Sequence, residues 1–216
     1  MPRKNLLPLA GMPLIGHTIR AALECPGITE CIVSTEDAEI KRVSLSYGAR
    51  VSDRPAHLAT DEAQTHGVVA HVLEELRAQG ELSDYFVLLQ PTSPLRRAAH
   101  IQACIEAFFA STAACAISVT REEHHPYKDF IVQGGFLHPL FEGQNPELVR
   151  QELPEVYRQN GAIYLLSSEL FLSRMMFLIP PALAFIMGHE DGIDIDTEVD
   201  LLTAELIMAR RDKGAA

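Results

Sequence analysis

The chain has 216 residues, 47% of them apolar, and a net charge of −11. Apolar residues spread over that length suit one well-cored domain rather than a disordered chain, and no apolar run approaches the ~20 residues that span a bilayer. The acidic balance, with no cationic run beyond Arg210-Arg211, excludes a typical nucleic-acid binder; an anionic small molecule would need a few cations gathered at one site, with a divalent metal as counter-charge.

The opening Met1-Pro-Arg-Lys-Asn has no signal-peptide core behind it. Cys25, Cys31, Cys104 and Cys115 form neither a CxxC pair nor a zinc spacing, so they read as reduced thiols of a cytoplasmic protein. The apolar periodicity predicts a helix over 14–23, with Leu14, Ile15, Thr18, Ile19 and Ala22 on one face. A buried strand is expected over 30–35, a helix over 37–47 stopped by Gly48, and a short strand from Arg50. A third helix follows over 65–79. Residues 85–90 form the clearest buried strand, closed by Pro91 and Pro94. A helix over 98–109 and a strand over 114–119 continue the alternation. Residues 120–158 break it with clustered Gly and Pro and read as an excursion. The core resumes with a strand over 161–166, a helix over 167–174, extended pieces at 183–187 and 192–196, and a terminal helix over 197–211 capped by Thr197. Strand–helix alternation implies an α/β fold with a mostly parallel sheet in three layers, whose ligands bind beyond the carboxyl ends of the strands.

Three constellations could carry chemistry. Asp194 and Asp196 stand two apart in an extended stretch, so their carboxylates share a side and suit Mg²⁺ as hard oxygen ligands. On spacing alone the bland reading stays open: Asp196 caps the helix and Asp194 is a solvated turn residue. In Gln90-Pro91-Thr92-Ser93-Pro94-Leu95-Arg96 two prolines fix the backbone, which either aims Gln90, Thr92 and Ser93 at a ligand or simply makes a rigid turn. Cations stand at element boundaries: Arg3, Lys4, Arg54, Lys128, Arg150 and Arg158. Each alone reads as a solvated charge, with Arg54 and Arg158 best placed. The pair His124-His125 is weak evidence for metal or base chemistry, and no nucleophile elbow supports acyl transfer.

Taken together, several stretches resemble the CMP-sialic acid synthetases (acylneuraminate cytidylyltransferases) and, less closely, the CMP-Kdo, legionaminic and pseudaminic acid enzymes. They are Arg3-Lys-Asn-Leu6, Leu14-Ile-Gly-His-Thr-Ile19, Ile32-Val-Ser-Thr35, Arg54-Pro-Ala-His-Leu-Ala-Thr-Asp61, Leu88-Leu-Gln-Pro-Thr-Ser-Pro-Leu-Arg96, Glu123-His-His-Pro-Tyr-Lys128, Arg150-Gln-Glu-Leu-Pro154, Arg158-Gln-Asn-Gly-Ala-Ile-Tyr164 and Asp194-Ile-Asp-Thr-Glu-Val-Asp200. They run in the family's order from the first residues to the last helix. The resemblance implies a single Rossmann-like nucleotidyltransferase domain over residues 1–216, with an inserted dimerisation arm over 122–155 and hence a homodimer. It implies transfer of CMP from CTP to the anomeric hydroxyl of a nine-carbon sugar acid, with release of pyrophosphate. By matching position, Asp194 and Asp196 would hold Mg²⁺. Lys4 would meet phosphate, and Asn5, Arg54 and Thr65 would stand at the nucleotide. Gln90 would bond the sugar near the reacting hydroxyl, Lys128 and Arg150 would meet its carboxylate or neighbouring hydroxyls, and Arg158 and Asn160 would line its pocket. The family pattern opens with an apolar strand and an Arg-x-x-Ser-Lys-Gly loop, whereas this sequence opens at the stretch after them. The resemblance therefore implies that a central strand and the triphosphate loop are missing from these residues, which leaves an impaired, sugar-binding relative as the alternative.

Overall fold

The computed structural model describes residues 1, 3–60 and 63–214; Pro2, Asp61, Glu62 and the Ala215-Ala216 end of the tail lie outside the described residues. A 3₁₀ turn at Lys4–Leu6 leads into the two-residue strands β1 (Pro8–Leu9) and β2 (Met12–Pro13), which pair antiparallel. Helix α1 (Leu14–Leu23) follows. Strand β3 (Ile32–Thr35) runs parallel to β4 (Arg50–Asp53), with α2 (Ala38–Ser46) between them. Asp37 caps α2 by accepting from the amides of Glu39 and Ile40. Helix α3 (Thr65–Gln79) ends at Gly80, whose left-handed φ of 75° is cheap only for glycine.

The main sheet is built from β5 (Tyr85–Leu88), β6 (Cys115–Arg121), β9 (Tyr157–Ser167) and β10 (Ala182–Ile186) in the order β10-β6-β9-β5. Helix α4 (Ala98–Phe109) joins β5 to β6 and α5 (Ser168–Arg174) follows β9. Strand side chains alternate between two helical layers, as the strand period of two requires. Ala116 and Leu165 pack with Ala21 and Cys25 of α1 and Ile101, Cys104 and Phe108 of α4. Cys115, Ile117 and Leu166 face the other way, onto Leu73 of α3 and Phe171 of α5. Burying each Ile, Leu or Phe in these layers contributes about 1.5–3 kcal/mol. The terminal helix α6 (Glu198–Gly214) closes a smaller cluster through Ala204, against Leu9, Leu14, Leu95 and Ile195.

The three-layer α/β expectation stands, but the sheet is mixed rather than mostly parallel. Strand β10 runs parallel to β6, whereas β9 is antiparallel to both β5 and β6. The reason lies in the connection. Parallel return needs a crossover helix, and between β6 and β9 the chain makes no helical crossover. It leaves through the excursion and comes straight back. Among the described residues the β3–β4 pair shares no ladder with the four-stranded sheet. The piece expected over 192–196 forms no strand. Inside the excursion lies a hairpin that the Gly and Pro content concealed, β7 (Phe130–Gln133) and β8 (Phe136–Pro139). Its two-residue turn, Gly134-Gly135, has φ of 58° and 86°, the left-handed pair that a tight hairpin demands.

The ladder between β6 and β9 carries one irregularity. Between Ile117↔Tyr164 and Val119↔Gln159 the register shifts, so that Asn160 to Ile163 bulge against Ser118 alone. Side chains satisfy the amides that the ladder loses. Ser118 Oγ accepts from the Ile163 amide at 2.7 Å, and Asn160 Oδ1 accepts from the Ala162 amide at 3.1 Å.

Candidate active site

The carboxyl end of β5 runs into the Gln90–Arg96 turn, next to the bulge in β9. A cavity of about 490 Å³ opens there, lined by Ala63, Gln64, Thr65, His66, Leu88, Gln90, Tyr164 and Phe177. Its aromatic wall is packed rather than loose: the rings of His66 and Phe177 stack at 4.5 Å, and Tyr164 meets Phe177 at 5.5 Å. Gln90 enters across the backbone of the bulge. Gly161 has φ of 71°, a conformation that favours glycine, and a Cβ there would displace Gln90 Oε1 from its present position.

Burial raises the pKa of the Tyr164 hydroxyl, and the nearby Asp194 carboxylate raises it further. Tyr164, in the cavity wall, thus stands close enough to Asp194 to feel its charge. Between the aspartates, Ile195 is fully buried and donates its amide to the Thr92 carbonyl at 2.8 Å, which pins the segment to the Gln90–Arg96 turn. Asp194 Oδ1 is buried without a hydrogen-bond partner. Asp196 is 68% exposed in its side chain, and its Oδ1 receives Lys4 Nζ at 2.7 Å; Nζ also reaches the Ile195 carbonyl at 3.3 Å.

The bland reading of these aspartates is weakened by who caps α6. Thr197 and Asp200 do so reciprocally: the Thr197 amide and hydroxyl donate to Asp200 Oδ2, while Thr197 Oγ1 accepts from the Asp200 amide. Burial pushes the Asp200 carboxyl up, but the bonds from Thr197 and the Asp196 amide outweigh it and hold the group below its ordinary value. The Asp196 carboxylate is left outside the cap, and Asp194 is half-buried with its Oδ1 out of solvent. A buried carboxylate oxygen without a donor is costly unless a cation meets it, and two hard oxygens fit Mg²⁺. Among the described residues no third His, Cys, Asp or Glu joins them, so further ligands would be phosphate oxygens and water.

The other residues expected at the site divide. Asn5 sits in the 3₁₀ turn beside Lys4. Arg54 donates to the Ser34 carbonyl at 2.6 Å and faces Glu36 at 3.6 Å, with its Nε buried and unpartnered. Thr65, expected at the nucleotide, opens α3 and shares the cavity wall with Gln90. Three cations stay in the excursion and do not meet Gln90 within the chain. Lys128 holds the carbonyls of Pro146 and Leu148, Arg150 holds that of Glu123, and Arg158 pairs with Glu122 at 3.2 Å. Asn160 departs furthest from expectation. It is 1% exposed and stays out of the lining of this cavity, and its amide is spent inside the bulge on Ser118, Thr120 and the Ala162 amide. His66 and Phe177 were missed. Both are apolar-contact residues, one on a helix and one in the loop after α5, and only the fold brings them together.

The family model described as Cytidylyltransferase matches residues 1–171. The chain belongs to the cytidylyltransferase family. It is 32% identical over 205 residues to the N-acylneuraminate cytidylyltransferase of Streptococcus agalactiae serotype III, covering 94% of this chain and 48% of that protein. It is 33% identical over 213 residues to the CMP-N,N'-diacetyllegionaminic acid synthase of Legionella pneumophila, covering 96% and 90%. The pseudaminic acid cytidylyltransferase of Campylobacter jejuni serotype O:2 is 28% identical, over 96% and 90%. The chain therefore spans about half the length of the first of these relatives and most of the other two. Its fold matches a CMP:2-keto-3-deoxy-manno-octonic acid synthetase complexed with CTP, with a TM-score of 0.70 at 17% identity over 98% of this chain and 93% of the other. It also matches a 4-diphosphocytidyl-2C-methyl-D-erythritol synthase, with a TM-score of 0.68 at 12% identity over 95% and 94%. Among the described residues no helix is long and apolar enough to cross a membrane.

Proposed function

We propose that this cytidylyltransferase makes the CMP derivative of a nine-carbon 2-keto-3-deoxy sugar acid, with N-acylneuraminate as the first candidate. The anomeric oxygen bonds to the α-phosphorus of CTP, the bond from that phosphorus to the bridging oxygen breaks, and pyrophosphate leaves as the hydroxyl proton is lost. The observation that carries the reading is the cavity of Gln90, Thr65, His66, Tyr164 and Phe177, with the unpartnered Asp194 oxygen on a carboxylate whose charge Tyr164 feels. An amide, two hydroxyls and aromatic faces suit a polyhydroxylated ring. Adjoining carboxylates suit the cation that a triphosphate brings.

Asp194 and Asp196 are the residues that would hold Mg²⁺, which would neutralise triphosphate charge when bound. In this reading Lys4, now on Asp196, turns to phosphate, while Asn5 and Arg54 border the nucleotide. Gln90 orients the sugar beside the reacting hydroxyl. Lys128, Arg150 and Arg158, committed to the excursion over 122–155 and its return strand, act on the site of a second copy. The homodimer is supported by the exposed apolar hairpin: Val132, Phe136 and Leu137 are all more than 60% exposed, and such a patch normally finds a partner.

The test is pyrophosphate release and CMP-sugar formation with CTP, Mg²⁺ and, in parallel, N-acetylneuraminic, legionaminic, pseudaminic and 2-keto-3-deoxy-manno-octonic acids. One acid should be converted, and Asp196→Asn should abolish conversion. If the chain, and a form carrying additional N-terminal sequence, convert none of the four, the proposed reaction is wrong.

A further inference from the structure

The reaction leaves one buried cation unexplained. Arg96 closes the Gln90–Arg96 turn, is 2% exposed, and forms no ion pair among the described residues. Its Nη1 donates to the Gln90 carbonyl at 3.2 Å and to the Ala162 carbonyl at 2.8 Å, and its Nη2 donates to Thr18 Oγ1 at 2.7 Å. Its Nε has no partner. The neighbouring Cys31 thiol does not neutralise the charge, since burial pushes that thiol up to about 11. Burial also lowers the guanidinium to about 9, which still leaves it charged at neutral pH.

An unpaired buried charge is expensive, and an apolar residue would fill the same space without that cost. What an apolar residue lacks is a planar fork that joins acceptors on separate elements. Here the fork ties α1, the end of β5 and the bulged part of β9 at one point. The Gln90 carbonyl is one of the three acceptors it joins. The Gln90 carbonyl also accepts the Ser93 amide at 3.3 Å, the Gln90 amide meets the Gly161 carbonyl at 3.4 Å, and the Ser93 hydroxyl donates to the Asn160 carbonyl at 3.1 Å; the Arg96 fork adds the tie to α1 that these bonds lack. Gly161 supplies the complementary half, an open surface over which the Gln90 side chain passes into the cavity.

We infer that Arg96 is a positioning residue for Gln90: it clamps the Gln90 carbonyl to β9 and so aims the Gln90 amide across Gly161 into the cavity. The role rests on the sugar-binding reading of that cavity for its consequence, but not for its geometry. The geometry is read without any ligand, from the side-chain amide of Gln90 in ¹H–¹⁵N spectra of the whole chain, identified by its loss in Gln90→Ala. Arg96→Lys keeps a cation but cannot reach three acceptors. Thr18→Val removes one acceptor at nearly constant volume and serves where Arg96→Lys fails to fold. In either variant the Gln90 amide pair should move towards random-coil shifts while dispersed methyl signals persist. If both Thr18→Val and the folded form of Arg96→Lys leave the Gln90 amide unmoved, the positioning role is overturned.

The consequence is read by calorimetric titration with N-acetylneuraminate and the three related acids named above. For the acid that binds, Arg96→Lys or Thr18→Val should weaken affinity by up to about tenfold, the order of one neutral hydrogen bond. Neither should weaken it further in a Gln90→Ala background, whereas a general structural defect would. Additive losses would overturn the inference. If the amide moves but Gln90→Ala binds every acid as the parent does, the cavity reading fails and the positioning stands.

Discussion

Replacing Asn160 with alanine separates two roles that the sequence could not distinguish. As a wall of the sugar cavity, Asn160 would matter to binding and little to stability. As the plug of the β6–β9 bulge it does the reverse. The substitution removes an acceptor for the Ala162 amide at 3.1 Å and for the Ser118 hydroxyl at 2.5 Å, and a donor to Thr120 Oγ1 at 2.9 Å. Ser118 and Thr120 can turn their hydroxyls to other partners, and Ser118 Oγ still accepts from the Ile163 amide. The Ala162 amide cannot turn, and it is left buried without an acceptor. One orphaned buried amide and two weakened hydroxyl bonds sum to about 3 kcal/mol. With a urea dependence of about 2 kcal/mol per molar, the unfolding midpoint should fall by about 1.5 M. Gln90→Ala, in the cavity wall, should shift stability by no more than about 0.5 kcal/mol. Circular dichroism during urea titration of both variants measures the difference. If Asn160→Ala costs less than about 1 kcal/mol and instead changes sugar binding, the plug role is refuted.

Lys4→Met should leave stability within about 1 kcal/mol, as for an exposed ion pair. Without nucleotide it should bind Mn²⁺ several-fold tighter than the parent by electron paramagnetic resonance, because the ammonium now sits on Asp196 Oδ1; unchanged or weaker binding contradicts this. Phe136→Asp with Leu137→Asp should reduce the mass seen by light scattering from dimer to monomer without unfolding the chain, since both side chains are exposed. A dimer that persists removes the hairpin from the interface. His17 gives a pH signature: burial lowers its pKa and its ring contacts the Leu9 carbonyl at 2.8 Å. The unfolded chain then takes up this proton first, so stability should fall as pH drops below the ordinary histidine pKa of about 6.5. Between about pH 7.5 and 5.5, on either side of that value, the parent should lose more stability than His17→Gln, and equal slopes would exclude His17 as the cause.

Much of the fold was legible because its elements are governed by local rules. The helices at Leu14–Leu23, Thr65–Gln79 and Ala98–Phe109 end where periodicity, glycine or a change in polarity ends them. Strand direction is not local. Nothing in 157–167 itself says that it runs antiparallel to its neighbours; that comes from the absence of a crossover helix in the excursion before it. The bulge was hidden for a related reason. Asn160-Gly161 reads as a tight turn, and the left-handed φ at Gly161 is real, but it occurs inside a strand and is satisfied from across the sheet by Ser118 and Thr120.

The site was legible in its chemistry and not in its assembly. Asp194 and Asp196 stood out as hard oxygen ligands, yet the observation that favours a cation over a cap is the reciprocal Thr197–Asp200 bonding. Gln90 stood out because it opens a turn stiffened by two prolines. The structure adds that its direction depends on a residue without a side chain, Gly161, and on a buried guanidinium six positions later, Arg96. Composition cannot reveal such dependence, since neither residue need touch a ligand. The motif from Leu88 to Arg96 is therefore better understood as one mechanical unit than as a string of separate contacts. Its first part presents an amide, its prolines stiffen the turn, and its last residue anchors the beginning to the strand on which the amide rests.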